Sequence, residues 1–291
     1  MANNTRDLRR QIRSVRNTAQ LTRAMKMVAS AKLRRSQDAM LAARPYAEAL
    51  RRVLAGVAKR VNPDSHALLT SRPIKSVDLF VVTSDKGLAG AFNANIMRAA
   101  DQWIRARVAE GTTVRLIIVG RKAADYYKRR PQVQVLRALT DVKSVTFLLA
   151  QELATEVTQR FVSGETDAVY LCYNQFRSVV SQKVVLEPLL PLSQLTGEGD
   201  AAKLEGVDYI YEPPPDALLG ELLTRFVAFG VFHPLLESSA AEHAARMSAM
   251  DNATRNANEM ISKLTLLMNR IRQASITKEI IEVVSGAEAL G

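Results

Sequence analysis

The sequence has few cysteine, histidine and aromatic residues for its length. Of 291 residues, one is cysteine, three are histidine and 5% are aromatic. Cys172 is alone, so it cannot form an intramolecular disulfide. The histidines are far apart in the sequence, at His66, His233 and His243. One thiol and three scattered imidazoles do not make a zinc site, so we predict no metal and no cofactor.

Long apolar runs are also missing. The chain contains no run of about 18 consecutive apolar residues, which predicts no transmembrane helix. The opening residues MANNTRDLRRQ lack the apolar core of a secretory signal, so we expect a protein that is not exported. Its 47% hydrophobic and 24% charged residues are typical of a soluble, folded protein.

Glycine and proline are absent from two long stretches, residues 1–44 and 235–285. A continuous helix over the second stretch would be about 75 Å long at 1.5 Å per residue. In the first stretch, the apolar residues at helical spacing are Leu8, Ile12, Val15, Ala19, Leu21, Met25, Val28 and Leu33. In the second they are Met247, Met250, Ala257, Met260, Leu264, Leu267, Ile271 and Ala274.

These patterns predict a long helix at each end of the chain. The first occupies residues 1–60, with Thr5 as N-cap and a kink at Pro45. The second occupies residues 235–291 and is stopped by Gly286. Neither helix can bury its own narrow stripe, so we predict that the two pack on each other as an antiparallel coiled coil.

Between the helices, residues 74–232 alternate strand-like and helix-like segments. The predicted strands are residues 77–84, 114–120, 133–139 and 167–176, and the predicted helices are residues 94–109, 121–130 and 144–163. Residues 179–192 alternate as an edge or antiparallel strand does, and residues 209–214 are short and β-rich. The predicted fold class is therefore α/β, with a central Rossmann-like α/β domain on a mostly parallel sheet and a long antiparallel coiled coil.

Positive charge is concentrated at one end of the chain. Residues 1–60 contain twelve arginines and three lysines against Asp7, Asp38 and Glu48, whereas the rest of the chain is nearly neutral. A helix with this much positive charge can bind nucleic acid, an anionic membrane surface or an acidic protein partner. It has no interleaved aromatic residues and only a weak apolar face, which favours a protein partner. A nucleic-acid-binding coiled-coil protein remains an alternative.

The loop SDKGLAGAFN, residues 84–93, has two interpretations. Its glycines and its lysine, followed by a helix, are consistent with a phosphate-binding loop. It matches neither the Walker A spacing nor GxGxxG, so a tight strand-to-helix turn is the other interpretation. No catalytic residue is predicted from the sequence, and a nucleotide-handling enzyme built on this loop is the second alternative.

Several stretches resemble the gamma subunit of F-type ATP synthases. The C-terminal RQASITKEIIEVVSGAEAL, residues 272–290, resembles the family signature, which is met at Ile276, Thr277, Glu279, Glu282, Gly286 and Ala287. Similar stretches occur at SVRNTAQLTRAMKMVASAKLRRSQ, TSDKGLAGAFN, NQFRSVVSQ, DYIYEPPP and AARMSAMDNATRNANEMI. Ala89 departs from many members, which have cysteine there.

The resemblance implies a rotor shaft. Its helices would enter a ring of alpha and beta subunits, and its α/β domain would contact the epsilon subunit, possibly delta, and the membrane ring of c subunits. Rotation driven by proton flow would power ATP synthesis in beta, at the cytoplasmic face of a bacterial plasma membrane. Regulation of ATPase activity and proton flow would accompany this role.

The resemblance also implies which residues contact the ring. Coiled-coil packing is the other interpretation of each of them, Met25 above all. The implied contact residues are Met25, Lys26, Lys32, Arg34, Arg35, Arg246, Arg272, Gln273 and Thr277.

Overall fold

The computed structural model describes residues 2–58, 66–130, 132–192 and 215–288. In chain order the elements are α1 (Ala2–Ala58), β1 (Ser76–Val82), α2 (Phe92–Ala109), β2 (Thr113–Val119), α3 (Arg121–Tyr127), β3 (Gln134–Leu139), α4 (Phe147–Val162), β4 (Ala168–Phe176), β5 (Gln182–Leu190) and α5 (Pro215–Glu288). The predicted strand at residues 209–214 lies outside the described residues.

The five strands form one sheet in the order β3-β2-β1-β4-β5. The first four are parallel, and β5 pairs with β4 in the antiparallel direction at the edge. The predicted parallel sheet and its antiparallel edge strand are therefore confirmed. Each parallel connection that returns to this sheet contains a helix, as parallel strands require.

Alternate residues of the central strands enter two separate cores. On one face, Phe80 and Ile117 pack with α4, the end of α1 and the first part of α5. On the other face, Leu79 and Leu116 pack against α2 and α3. Because side chains of a strand alternate between its faces, a strand buried on both sides reads as an uninterrupted apolar run.

Gly120 joins β2 to α3 in a conformation that only glycine adopts easily. Its φ is +103°, and a Cβ atom there would collide with the backbone of Thr83. The Thr83 hydroxyl accepts a hydrogen bond from the Ala123 amide at 3.1 Å. The close approach of these two strand ends explains the glycine in VGRKAAD.

The helix ends differ from the prediction at three points. The helix α1 begins at Ala2, so Thr5 lies inside it and is not its N-cap. The helix α5 begins at Pro215 and contains Pro234, where a new helix was expected to follow. Val231 and Leu235, which lie on either side of that proline, are buried, and their packing stabilises the helix there. Gly286 does not stop α5, which continues to Glu288.

The chain divides into two compact units. One contains residues 1–29 and 246–291, and the other contains residues 30–245. In the first unit, the hydroxyls of Thr22 and Thr254 lie 2.7 Å apart, and Lys26 contacts Asp251. Since residue numbers rise on one helix as they fall on the other, the predicted antiparallel pairing is confirmed.

The buried and half-buried positions of α1 together contain two sets that each repeat every seven residues. They alternate in steps of four and three from Leu8 to Val57, the spacing of a coiled-coil seam. The predicted stripe was wrong at Leu21 and Val28, which are 61% and 58% exposed. Thr22 and Ala29 occupy those seam positions and are buried. The apolar stripe was assigned by hydrophobicity, but the heptad spacing selects a polar and a small residue there.

The predicted apolar stripe of α5 is wrong in the same way, because some of its residues lie beside the seam and not in it. Met250 and Ala257 are buried as predicted, and Leu264 and Ile271 are half-buried. The predicted Met260, Leu267 and Ala274 are exposed, because the heptad spacing gives the seam positions beside them to Ile261, Met268 and Ser275. The pairing surface is therefore narrower and more polar than the apolar pattern indicated.

One described helix is long and apolar enough to cross a membrane by length and composition alone. It belongs to α5, where an 18-residue window has a mean hydropathy of 1.3 and is 39% buried. The core helix of a soluble domain passes the same test. Leu219, Leu223 and Val227 of α5 are buried in the core on one face of the sheet.

Candidate functional site

Polar contacts interrupt the seam between the paired helices. In the first unit, the Lys26 ammonium donates a hydrogen bond to Asp251 Oδ1 at 2.5 Å, and both side chains are about two-fifths exposed. This hydrogen bond lowers the pKa of Asp251 below its usual range. Met25 is half-buried beside it. Lys26 is thus engaged within the chain, and its predicted role at the ring stays a prediction.

The basic surface of α1 lies on its exposed side. Lys32, Arg34 and Arg35 are all exposed in the second unit. Among the described residues, none of these three side chains forms an ion pair or a hydrogen bond. In the first unit, the exposed basic residues of α1 whose side chains are described are Arg6, Arg9, Arg10, Arg13, Arg16 and Arg23. Their charge is available to a partner.

The end of α5 combines polar and aliphatic exposed residues. Arg272, Gln273 and Thr277 are exposed, while Arg246 is half-buried. Of the signature residues, Glu279 accepts a hydrogen bond from Ser275, and Glu282 forms an ion pair with Lys278 at 3.4 Å. Gly286 and Ala287 lie within the helix. The exposed aliphatic residues here are Ile276, Ile280, Ile281, Val283 and Val284.

Side chains of the loop at residues 84–93 accept hydrogen bonds from backbone amides of the loop itself and of neighbouring segments. Asp85 accepts hydrogen bonds from the amides of Arg121 at 2.9 Å and Val142 at 3.1 Å. Asn93 accepts one from the Ser84 amide at 2.9 Å. Side chains of the loop thus satisfy the amides at the carboxyl ends of the strands, which favours the tight turn over the phosphate-binding loop.

Cys172 is buried in β4, and burial raises the pKa of its thiol to about 12. A thiol in that environment stays protonated and unreactive. No cluster of three or more histidine, cysteine or acidic residues that could hold a metal occurs in the described ranges.

Three clusters around buried acidic residues could not be identified from the sequence. Asp78 is fully buried in β1 between Arg115 and Arg160, at 2.9 and 2.8 Å. Asp101 of α2 binds two tyrosines and an arginine, and Glu237 of α5 is buried against β4 and β5. The acid inside the apolar run VDLFVV was the one available signal for the first cluster.

Glu237 is a buried acid with incomplete pairing. Burial, and next the nearby charge of Glu187, raise its pKa to about 7. Its Oε2 atom has no hydrogen-bond partner within the described part of the chain. His233 lies 3.9 Å from its other oxygen. Ionised Glu237 therefore destabilises the second unit.

We expect Glu237→Gln to stabilise the protein at alkaline pH. The folded-state pKa is above the unfolded value, so the folded protein binds more protons and stability falls as pH rises from about 4.5 to about 7. At pH 8 the variant is expected to gain about 1–3 kcal/mol in free energy of unfolding, measured by urea denaturation. At pH 4 the two curves should coincide, and the exposed control Glu259→Gln should show no gain at either pH.

Comparison with known proteins gives a consistent picture. The family model described as ATP synthase matches residues 4–290. The chain is 50% identical over 287 residues to the ATP synthase gamma chain of Solibacter usitatus, covering 97% of this chain and 98% of that one. It is 48% identical over 289 residues to that of Anaeromyxobacter sp. (strain Fw109-5), covering 98% of each.

Solved structures share the fold. The structure of the Tetrahymena thermophila mitochondrial ATP synthase central stalk and c-ring contains a chain 28% identical, with a TM-score of 0.60, covering 80% of this chain and 99% of that one. A chain of the Euglena gracilis mitochondrial ATP synthase has a TM-score of 0.68 at 19% identity, covering 100% and 95%. The latter likeness concerns the fold alone.

Proposed function

The chain belongs to the family of ATP synthase gamma chains, and we propose that it is the rotating shaft of that enzyme's central stalk. In this role, proton flow through the membrane ring turns the shaft, and the shaft drives the catalytic ring through the states in which ATP is made. The shaft itself has no catalytic role. ATP hydrolysis would turn it in the reverse direction, and the same coupling would regulate ATPase activity and proton flow.

The single observation that carries this proposal is the unpaired positive charge on the exposed side of α1. A helix whose inner stripe is occupied by its partner helix has only its outer surface left for other subunits. That surface has Lys32, Arg34 and Arg35 without a partner among the described residues. Electrostatic interactions act over longer distances than apolar contacts. They can therefore transmit force between the helix and acidic loops of the ring without the tight binding at particular rotary positions that a large apolar contact would cause.

The other proposed contacts with the ring are supported by the solvent exposure of the side chains concerned. Arg272, Gln273 and Thr277 are available for hydrogen bonds, and the aliphatic end of α5 is available for a smooth apolar contact. Met25, Lys26 and Arg246 are proposed to contribute where the seam leaves them partly exposed. The family signature lies in this same end of α5.

The double variant Arg272→Ala, Gln273→Ala is expected to lower coupled ATPase activity at least about tenfold, because a hydrogen bond to a charged group is worth about 1.5–3 kcal/mol and about 1.4 kcal/mol corresponds to tenfold. Both side chains are exposed and alanine favours helix, so the isolated subunit should unfold at the same urea concentration. The measurement is ATP-driven proton pumping by the assembled complex.

A control on the same helix is Ser262→Ala, Lys263→Ala, which removes two neighbouring exposed polar side chains. It should leave pumping within about twofold of the parent. Equal pumping by the parent and the Arg272, Gln273 variant would remove these two residues from the interface.

The proposed partners are the alpha and beta subunits, the epsilon subunit and possibly delta, and the c ring. The proposed location is the cytoplasmic face of a bacterial plasma membrane, where the chain is a peripheral protein. Purification of the tagged chain from its native membranes tests this, with recovery of the catalytic ring as the expected result. Recovery as a lone monomer that binds DNA or RNA in a salt-sensitive manner would favour the nucleic-acid alternative instead.

A further inference from the structure

A cleft between α2 and α3 is unused by the shaft function. Its volume is about 520 Å³, within the size range of small-molecule sites. It lies entirely in the second unit. The residues that line it are Ala94, Met97, Arg98, Asp101, Gln102, Arg105, Tyr126 and Arg130.

A buried carboxylate organises one wall of the cleft. Asp101 is 9% exposed and accepts hydrogen bonds from the hydroxyls of Tyr126 at 2.5 Å and Tyr127 at 2.9 Å. It also accepts one from Arg130 Nη1 at 2.6 Å. The Arg130 guanidinium lies 4.0 Å from the centre of the Tyr126 ring. Arg130 is thereby held in one orientation, with donors left over, since a guanidinium has five N–H groups.

Two further arginines line the cleft from α2, on the same face of that helix as Asp101. Arg98 and Arg105 are seven residues apart on α2, so they share one face about 10.5 Å apart along the axis. Both are exposed, and within the described ranges neither forms an ion pair. Gln102 lies between them and adds a neutral amide. The cleft is thus lined by three guanidinium groups and by one carboxylate that already has three donors, so its positive charge is not fully compensated.

We propose that this cleft binds a small molecule bearing a phosphate chain, either pyrophosphate or a nucleoside phosphate. Guanidinium groups present paired N–H donors that match phosphate oxygens, and they stay charged at all physiological pH values. The concave shape favours a compact ligand over an acidic protein segment, which would need an extended groove. The ligand would sit against the fixed Arg130 and be closed in by Arg98 and Arg105.

The test is equilibrium binding of pyrophosphate and of ATP, in separate titrations, to the full chain at low salt. We expect saturable binding by one of them with a Kd of about 1 mM or tighter, and at least tenfold weaker binding by the variant Arg98→Ala, Arg105→Ala. The control Arg129→Ala removes a neighbouring exposed arginine outside the cleft and should bind as the parent does. Both substitutions alter exposed side chains, so circular dichroism should show unchanged folding.

Three results would overturn the proposal. One is the absence of saturable binding of either phosphate compound up to about 10 mM. Another is binding that survives in the Arg98, Arg105 variant, which would place the ligand elsewhere, for instance at the loop of residues 84–93. The last is tighter binding of a hexaglutamate peptide than of the phosphates, which would make the cleft a site for an acidic protein segment. None of these results depends on rotation.

Discussion

The substitution Asp78→Asn is expected to destabilise the second unit by about 3–5 kcal/mol, the usual cost of removing one partner from a buried ion pair. Asp78 is fully buried near the amino end of the central strand β1, and Arg115 and Arg160 are 15% and 17% exposed in their side chains. Asparagine keeps the shape of the side chain but removes its charge. Two largely buried guanidinium groups would then lose the one buried carboxylate that pairs with both of them.

The neighbouring contacts cannot compensate for this loss. Arg160 also pairs with Glu165, and Arg115 donates to the carbonyl oxygen of that same residue. Glu165 is exposed, so its attraction for Arg160 is screened by water. The hydrogen bond that Arg160 donates to Asp78 is the largest influence that raises the pKa of Arg160. The stability of this corner therefore depends on one carboxylate.

The measurement is urea denaturation at pH 7, followed by the circular dichroism of the α/β domain. Asp141→Asn is the matched control, because it makes the same chemical change in the exposed ion pair with Arg121. That control should lose less than about 1 kcal/mol. Equal losses in the two variants would show that the buried cluster has no special role in stability.

Reversing the charge of Lys32, Arg34 and Arg35 to glutamate is expected to reduce ATP synthesis by the assembled complex at least tenfold. The change replaces three positive charges with three negative ones on the surface that we propose faces acidic loops. A tenfold loss corresponds to about 1.4 kcal/mol of lost interaction, well below what a reversal of three charges can remove in a partly enclosed site.

Folding should be nearly unaffected by this reversal. The three side chains are exposed, and among the described residues they have no ion-pair partner to lose. The control reverses three exposed basic residues of the α/β domain, Lys128, Arg129 and Lys143. We expect its synthesis rate to stay within about twofold of the parent. Equal rates of ATP synthesis in the two triple variants would mean that the basic side chains of α1 only face solvent and do not contact the ring.

The sheet and its helices were predictable because their signals are local. Buried strands such as β1 and β2 appear as apolar runs, and the amphipathic α2 shows its helical spacing directly. The alternation of polar and apolar residues in β5 indicated an edge or an antiparallel strand, and β5 is both. The absence of glycine and proline likewise predicted both long helices, although not where α5 begins.

The seam was harder to predict because hydrophobicity is a poor guide in a narrow interface. Leu21 and Val28 are apolar yet exposed, while Thr22 is polar yet buried against Thr254. The strict seven-residue repeat would have selected Thr22, since a supercoiled pair keeps only seam positions in contact. Exposed apolar residues on a shaft are consistent with contacts to other subunits.

The charged clusters could not be predicted because their partners are distant in sequence. Asp78 meets Arg160 from 82 residues away. Glu237 approaches Glu187 and Tyr173 only after α5 packs on the sheet. The cleft at Asp101 likewise needs α2 and α3 side by side. Such sites depend on tertiary placement, which no local pattern specifies.

Rotation of the chain inside the assembled complex is the most direct test of the central claim. Cys172 is buried, so a cysteine introduced as Lys128→Cys on the surface can be labelled selectively with a visible probe. With the catalytic ring fixed to a surface and ATP added, we predict that the probe turns continuously in one direction. A probe that stays still while the same complexes hydrolyse ATP would contradict the assignment of this chain as the shaft.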